Sequence, residues 1–148
     1  ILDMVEIYFR KKLARLSEHN VQNLVRQLAE KAANYTSGKA SKLTISFLIA
    51  RIVTESKVFK SSLVDVIDQT SLYSVTVLKF YGKIQIAATA AQHLKFADPE
   101  YYFDLYQQKL EMLYYLIEPE MSKIIYLKKS GSTNDEQILA LEERLLTT

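Results

Sequence analysis

Ile45-Ser46-Phe47-Leu48-Ile49-Ala50-Arg51-Ile52-Val53 is the stretch that decides the fold class. Its β-branched residues favour a strand by propensity alone. A half-buried strand needs period-two alternation, however, and Ser46 is the only polar residue from Ile45 to Ala50. On the helical period, Ile45, Leu48, Ile49, Ile52 and Val53 fall at i, i+3, i+4, i+7 and i+8, which is one continuous stripe. The same phase runs on through Ser56, Phe59, Leu63 and Ile67 and predicts one helix of about 25 residues starting at Thr44. A turn is expected at Gln69 to Ser71.

Upstream, Leu2, Val5, Phe9, Leu13 and Leu16 form one helical stripe, and Val21, Leu24, Val25, Leu28 and Ala32 form a second. The polar patch Ser17 to Asn20 carries cap-prone residues at both ends, so residues 1–35 read equally as one long helix or as two joined by a short break. A flexible connector is predicted at 36–43.

Downstream, Tyr73, Val77, Phe80, Ile84, Ala87, Ala88, Ala91 and Leu94 share one face of a helix over 72–96, while Leu72, Val75, Gly82, Ile86 and Ala90 line another. Apolar residues on two sides predict a central helix, with Gly82 and the alanines allowing close approach of neighbours. Asp98-Pro99-Glu100 is a helix start: a cap acceptor, a proline at the first helical position and negative charge in the first turn. The predicted inward face of that helix is Tyr102, Leu105, Tyr106, Leu110, Leu113, Leu116 and Ile117, leaving Phe103, Met112 and Tyr114 outside it. Pro119 is expected to end or kink this helix after Glu118. A shorter helical segment with Met121, Ile124, Ile125 and Leu127 follows, then a connector at 129–135. Thr133 and Glu136 resemble a capping box opening a last helix with Ile138, Leu141 and Leu145.

The composition agrees. The chain has 148 residues, 49% hydrophobic and 24% charged, with only three glycines and two prolines. That is one domain's length with a globular apolar share, and too few turn residues for a barrel or sandwich. The expected architecture is an all-α, single-domain antiparallel helical bundle of about five to seven helices spanning 1–148. No apolar run approaches the roughly 18 residues of a membrane span. The chain opens on Ile1, which reads as a fragment or processed product and leaves room for an upstream anchor. The absence of cysteine removes disulfides, thiolate nucleophiles and thiolate metal sites, and it fits a cytoplasmic setting.

Charge is unevenly distributed. Residues 1–97 carry 14 Lys and Arg against 7 Asp and Glu, and residues 98–148 carry 5 against 10, so the two parts stand near plus seven and minus five. Arg10, Lys11, Lys12 and Arg15 form the densest basic patch. Its bland reading is a helix face balanced in the fold by the acidic C-terminal helices; its functional reading is a nucleic-acid, acidic-lipid or acidic-protein surface.

Catalytic motifs are absent. The two histidines, His19 and His93, form no Glu-x-x-His or His-Glu-x-x-His, and His93 is expected to be a buried or interfacial structural residue. Gly38-Lys39 lacks the earlier glycine of a phosphate-cradling loop, and no serine sits in a nucleophile elbow. No catalytic residue, cofactor or metal ligand is assigned, and enzyme activity is not expected.

Aromatic surface remains. Six of the ten tyrosines fall between Tyr101 and Tyr126, and tyrosine concentrates at interfaces because it brings apolar area with a polar tip at low rotamer cost. Tyr101, Phe103, Tyr114 and Tyr115 are the candidate partner-binding residues. The expected function is a non-enzymatic protein-interaction or scaffold module acting through this tyrosine-rich helix and its opposed charges, with self-association included. The alternatives are a nucleic-acid-associated or regulatory domain using residues 10–15, and the cytosolic domain of a membrane-anchored protein.

Overall fold

A computed structural model describes residues 1–16, 19, 42–71 and 77–129. Among them are six α-helices and one 3-10 helix, and no strand. The helices are α1 (Leu2–Ala14), α2 (Lys42–Glu55), α3 (Lys57–Ser71), α4 (Val77–Ala97), α5 (Pro99–Gln107), the 3-10 helix Glu111–Leu116 and α6 (Glu118–Lys129). The second N-terminal stripe at 21–32, residues 36–41 of the expected connector, the connector beyond Lys129 and the last predicted helix lie outside the described residues. No described helix is long and apolar enough to cross a membrane.

Helix α1 buries Met4, Val5, Tyr8, Phe9 and Leu13, and it packs chiefly against α2, which buries Ile45, Leu48, Ile49, Ala50 and Val53. The helical period therefore outweighs β-propensity, because it puts the branched side chains on one buried stripe. Ser46, at no solvent exposure, is satisfied through its Oγ, which donates to Leu43 O at 2.8 Å. Helix α1 stops at Ala14, where Arg15 N–H and Leu16 N–H turn back to Lys12 O and Leu13 O in a tightened last turn. Lys42 and Leu43 belong to α2 and not to the expected connector.

The single helix expected from Thr44 to Ile67 is two helices broken at Ser56. Ser56 Oγ donates to Val53 O at 2.8 Å and accepts from Phe59 N–H at 3.2 Å, so one hydroxyl closes α2 and caps α3. Beyond the break only Phe59 of the stripe is buried; Ile67 is exposed. The turn expected at Gln69 to Ser71 is helical.

Helix α4 buries Ala87, Ala90, Ala91 and Leu94 against the 3-10 helix and α5. Of the expected second face, Ala90 is buried, Gly82 half-buried and Ile86 exposed, while Leu72 and Val75 lie outside the described residues; Ile84 of the first face is exposed. One core joins residues of every described helix, with α1 and α5 meeting near its centre.

The Asp98-Pro99-Glu100 start is present as expected. Asp98 Oδ1 accepts from Tyr101 N–H at 3.2 Å and Pro99 opens α5. That helix is much shorter than the sequence implies. It ends at Gln107, Lys109 takes a left-handed conformation with φ 58°, and the chain continues as the 3-10 helix. Pro119 begins a helix here and does not end one: it lies in the first turn of α6 between Glu118 and Glu120, the position where a missing N–H costs nothing.

Candidate functional site

The basic patch of α1 faces the acidic edge of α5. Lys11 Nζ donates to Asp104 Oδ2 at 2.8 Å and lies 3.9 Å from Glu100 Oε2, and the Arg15 guanidinium pairs with Glu100. Arg10 pairs with Glu6 one turn back on its own helix at 2.8 Å. Lys12 is 8% exposed; its Nζ stands 3.8 Å from Asp98 Oδ2 and 5.2 Å from the centre of the Tyr8 ring. Each of the four cations thus has an acidic partner inside the chain, which matches the bland reading of the patch.

Of the four candidate aromatics, two are core residues. Tyr101 is 1% and Tyr114 2% exposed, so neither ring presents area to a partner. Tyr101 O–H donates to Met4 O at 2.8 Å, and its ring lies 5.1 Å from Tyr8 and 6.2 Å from Tyr114, the latter edge-on at 84°. Burial is the main reason that the phenol pKa values of Tyr8, Tyr101 and Tyr114 lie well above their ordinary value; the negative charge of Asp98 adds to it at Tyr8 and that of Glu118 at Tyr114. Tyr115 is half-buried against the core. Phe103 is the member that stands open to solvent.

Phe103 has neighbours that periodicity assigned elsewhere. Tyr106, expected inside, is 56% exposed and stacks on half-buried Tyr102 with ring centres 6.1 Å apart. Lys95 of α4 holds its ammonium 5.7 Å from the Tyr102 ring centre, tying the end of α4 to this face of α5. Phe96, the next residue on α4, is 81% exposed. These two consecutive helices thus carry three largely bare rings, Phe96 at the end of α4 and Phe103 and Tyr106 on α5. The exposed pair Phe96 and Tyr106 is absent from the sequence-derived set because no local pattern marks a ring at a helix end or a stripe residue that turns outward.

An open groove of about 430 Å³ runs along α4, bounded by Gly82, Gln85, Ile86, Thr89, Ala90, His93 and, from the start of α6, Glu118. Of the two settings expected for His93, buried or interfacial, the buried one does not hold: it is exposed, and its Nδ1 lies 3.0 Å from Glu118 Oε1 of α6. One imidazole and one carboxylate face each other there, with the Thr89 hydroxyl in the same lining, and among the described residues no group of three His, Cys, Asp or Glu could hold a metal ion. Comparison with known protein families, curated proteins and solved structures finds no match.

Proposed function

We propose that this chain is a single antiparallel helical bundle that works as a non-enzymatic protein-interaction module, through the aromatic edge of α5 and the adjoining end of α4. The observation that carries the reading is the exposure of Phe96, Phe103 and Tyr106 on two consecutive helices. Large rings left in water are costly unless a partner covers them, and rigid aromatic anchors supply most of the energy at interfaces. The acidic residues of α5 support the same reading. Glu100 and Asp104 are engaged by Lys11 and Arg15, so the side of α5 that is left for a partner is aromatic. The pairing of Arg10, Lys11, Lys12 and Arg15 within the chain gives a nucleic-acid reading nothing to favour it.

A photo-reactive benzoylphenylalanine in place of Phe103 tests this in extract from the source cells. The expected result is one discrete adduct that excess wild-type protein competes away and that a Phe96→Ser/Tyr106→Ser protein does not. Diffuse labelling, or equal competition by the two proteins, overturns the assignment.

A further inference from the structure

Within the aromatic edge of α5 one set of side chains forms a continuous strip. The Lys95 ammonium, at the end of α4, lies 5.7 Å from the centre of the Tyr102 ring, and that ring stacks on Tyr106 with centres 6.1 Å apart and 25° between the planes. Lys95 and Tyr106 are exposed and Tyr102 is half-buried, so the cation and the rings beside it are open to a ligand. Neither phenol hydroxyl has a hydrogen-bond partner among the described residues.

The charge along this strip has one sign. Glu100 and Asp104, the acids of α5, are held by Lys11 and Arg15 of α1. Among the described residues no carboxylate stands within ion-pair distance of Lys95. An ammonium beside a ring face keeps N–H donors for an anion on its other side. Lys109 follows Tyr106 by three residues, with its backbone N–H bonded to Tyr106 O at 3.0 Å, and it too is exposed and lacks a carboxylate partner among the described residues. The edge therefore offers rings, phenol donors and unmatched positive charge, and α5 holds no unmatched acid that would repel a carboxylate.

We infer that the occupant of this edge is an extended, acidic segment of another protein, which sets a carboxylate on Lys95 and two apolar side chains on the Tyr102 and Tyr106 rings. The inference rests on the docking reading above and names the chemistry of the partner. The carboxylate follows from the unmatched ammonium. The extended form follows from the hydroxyls: the backbone carbonyls of an extended segment are free to accept from phenol O–H groups, whereas those of a helix are taken by its own N–H groups. The spacing agrees. Along an extended chain, residues two apart lie on the same side about 6.6 Å from each other, close to both steps of the strip. The expected pattern is thus an acid with apolar residues at the second and fourth positions from it. A single-stranded nucleic acid also stacks on rings, but it needs a track of cations along its backbone, and Arg10, Lys11, Lys12 and Arg15 are engaged within the chain.

Selection of random short peptides, displayed on phage, against the immobilised full chain tests the inference. Enriched peptides are expected to carry Asp or Glu at that spacing from apolar residues. Fluorescein-labelled synthetic forms are then titrated by anisotropy with wild type, Lys95→Glu and Phe103→Ser/Tyr106→Ser, all changes at exposed positions, with circular dichroism to verify the fold. Reversing the charge at Lys95 is expected to weaken an acid-bearing peptide about five- to tenfold. Replacing the acid of the peptide by lysine then makes it bind the Lys95→Glu protein more tightly than wild type, which a folding defect could not produce. Enriched peptides without an acid, or acid-bearing peptides indifferent to Lys95→Glu, overturn the inference and leave the docking edge standing if they depend on Phe103 and Tyr106. Absence of enrichment while the Phe103 cross-link still forms has the same meaning. Peptides that bind Phe103→Ser/Tyr106→Ser as tightly as wild type overturn both readings. Labelled oligothymidylate that binds wild type more tightly than every selected peptide, and is lost in the Lys95→Glu protein, overturns the inference in favour of a nucleic acid.

Discussion

Replacing Asp98 is the substitution with the largest consequence per atom removed. Its two carboxylate oxygens have different tasks: Oδ1 accepts the Tyr101 N–H that opens α5, and Oδ2 faces the Lys12 ammonium at 3.8 Å. Both side chains are withdrawn from water, with Lys12 10% and Asp98 4% exposed. Loss of an N-cap acceptor costs about 1 kcal/mol. Leaving a buried ammonium without its counter-charge costs about 3–5 kcal/mol where nothing else compensates. Lys12 keeps other contacts, the Tyr8 ring at 5.2 Å among them, so the lower end of that range applies. Asp98→Ala is therefore expected to lower the unfolding free energy by about 3–4 kcal/mol, measured by urea denaturation followed by circular dichroism. Asp98→Asn keeps the cap and removes only the charge, which isolates the ion-pair part at about 2 kcal/mol. With Lys12→Met in place, the same Asp98→Asn change is expected to cost at least about 1 kcal/mol less, because the charge that Asp98 faces is then gone. A coupling within about 0.3 kcal/mol of zero, or an Asp98→Ala protein as stable as wild type, would refute the claim that this pair is a stabilising buried contact.

Two further outcomes follow from local chemistry. Tyr8, Tyr101 and Tyr114 hold their protons more tightly folded than unfolded, so their contribution is fully present below the ordinary tyrosine pKa and is lost as pH rises above it; stability should fall from about pH 10 upward, by up to about 1.4 kcal/mol per pH unit for each ring, and an alkaline titration of unfolding that stays flat to pH 12 would contradict it. Lys109 holds a left-handed backbone at φ 58°, which glycine adopts without a Cβ penalty, so Lys109→Gly is expected to leave stability unchanged or raise it by up to about 1 kcal/mol, whereas Lys109→Val should lower it.

What the sequence discloses divides along the range of the forces involved. The start of α5 is legible because cap, proline and acid act within one turn. The related signature Glu118-Pro119-Glu120, with Glu in place of the cap-forming Asp, is ambiguous in sequence, since a proline both restricts the residue before it and suits the first turn of a new helix. Only the left-handed Lys109 and the 3-10 helix, which separate α5 from α6, decide it. The same break explains Tyr114. On an uninterrupted helix from Pro99 it falls off the inner stripe, but three residues per turn through Glu111–Leu116 rotate it inward. Ser56 is a similar case: it keeps the phase of the apolar stripe while its hydroxyl bonds the backbone on both sides. The partners of Lys11 and Arg15 lie 93 and 85 residues away, beyond any local pattern, although the opposite charges of the two parts of the chain foretold that such partners existed.

The pairing of α1 with α5 bears on recognition more than on stability. Exposed pairs such as Arg15 with Glu100 contribute roughly 0–1 kcal/mol each, too little to hold the helices together beside the apolar contacts of Met4, Tyr8, Tyr101 and Leu105. Their effect is orientational. Around α5 the buried pair Tyr101 and Leu105 is flanked on one side by Glu100 and Asp104 and on the other by Tyr102, Tyr106 and Phe103. With the acidic side matched to α1, rotating α5 would strand carboxylates away from their cations and turn apolar rings toward the ammonium groups. The helix thus has one electrostatically acceptable setting, and in it Phe103 and Tyr106 face outward. Exposure of those rings is then a consequence of how α5 is seated and not of a packing defect, which is the condition an aromatic docking edge requires.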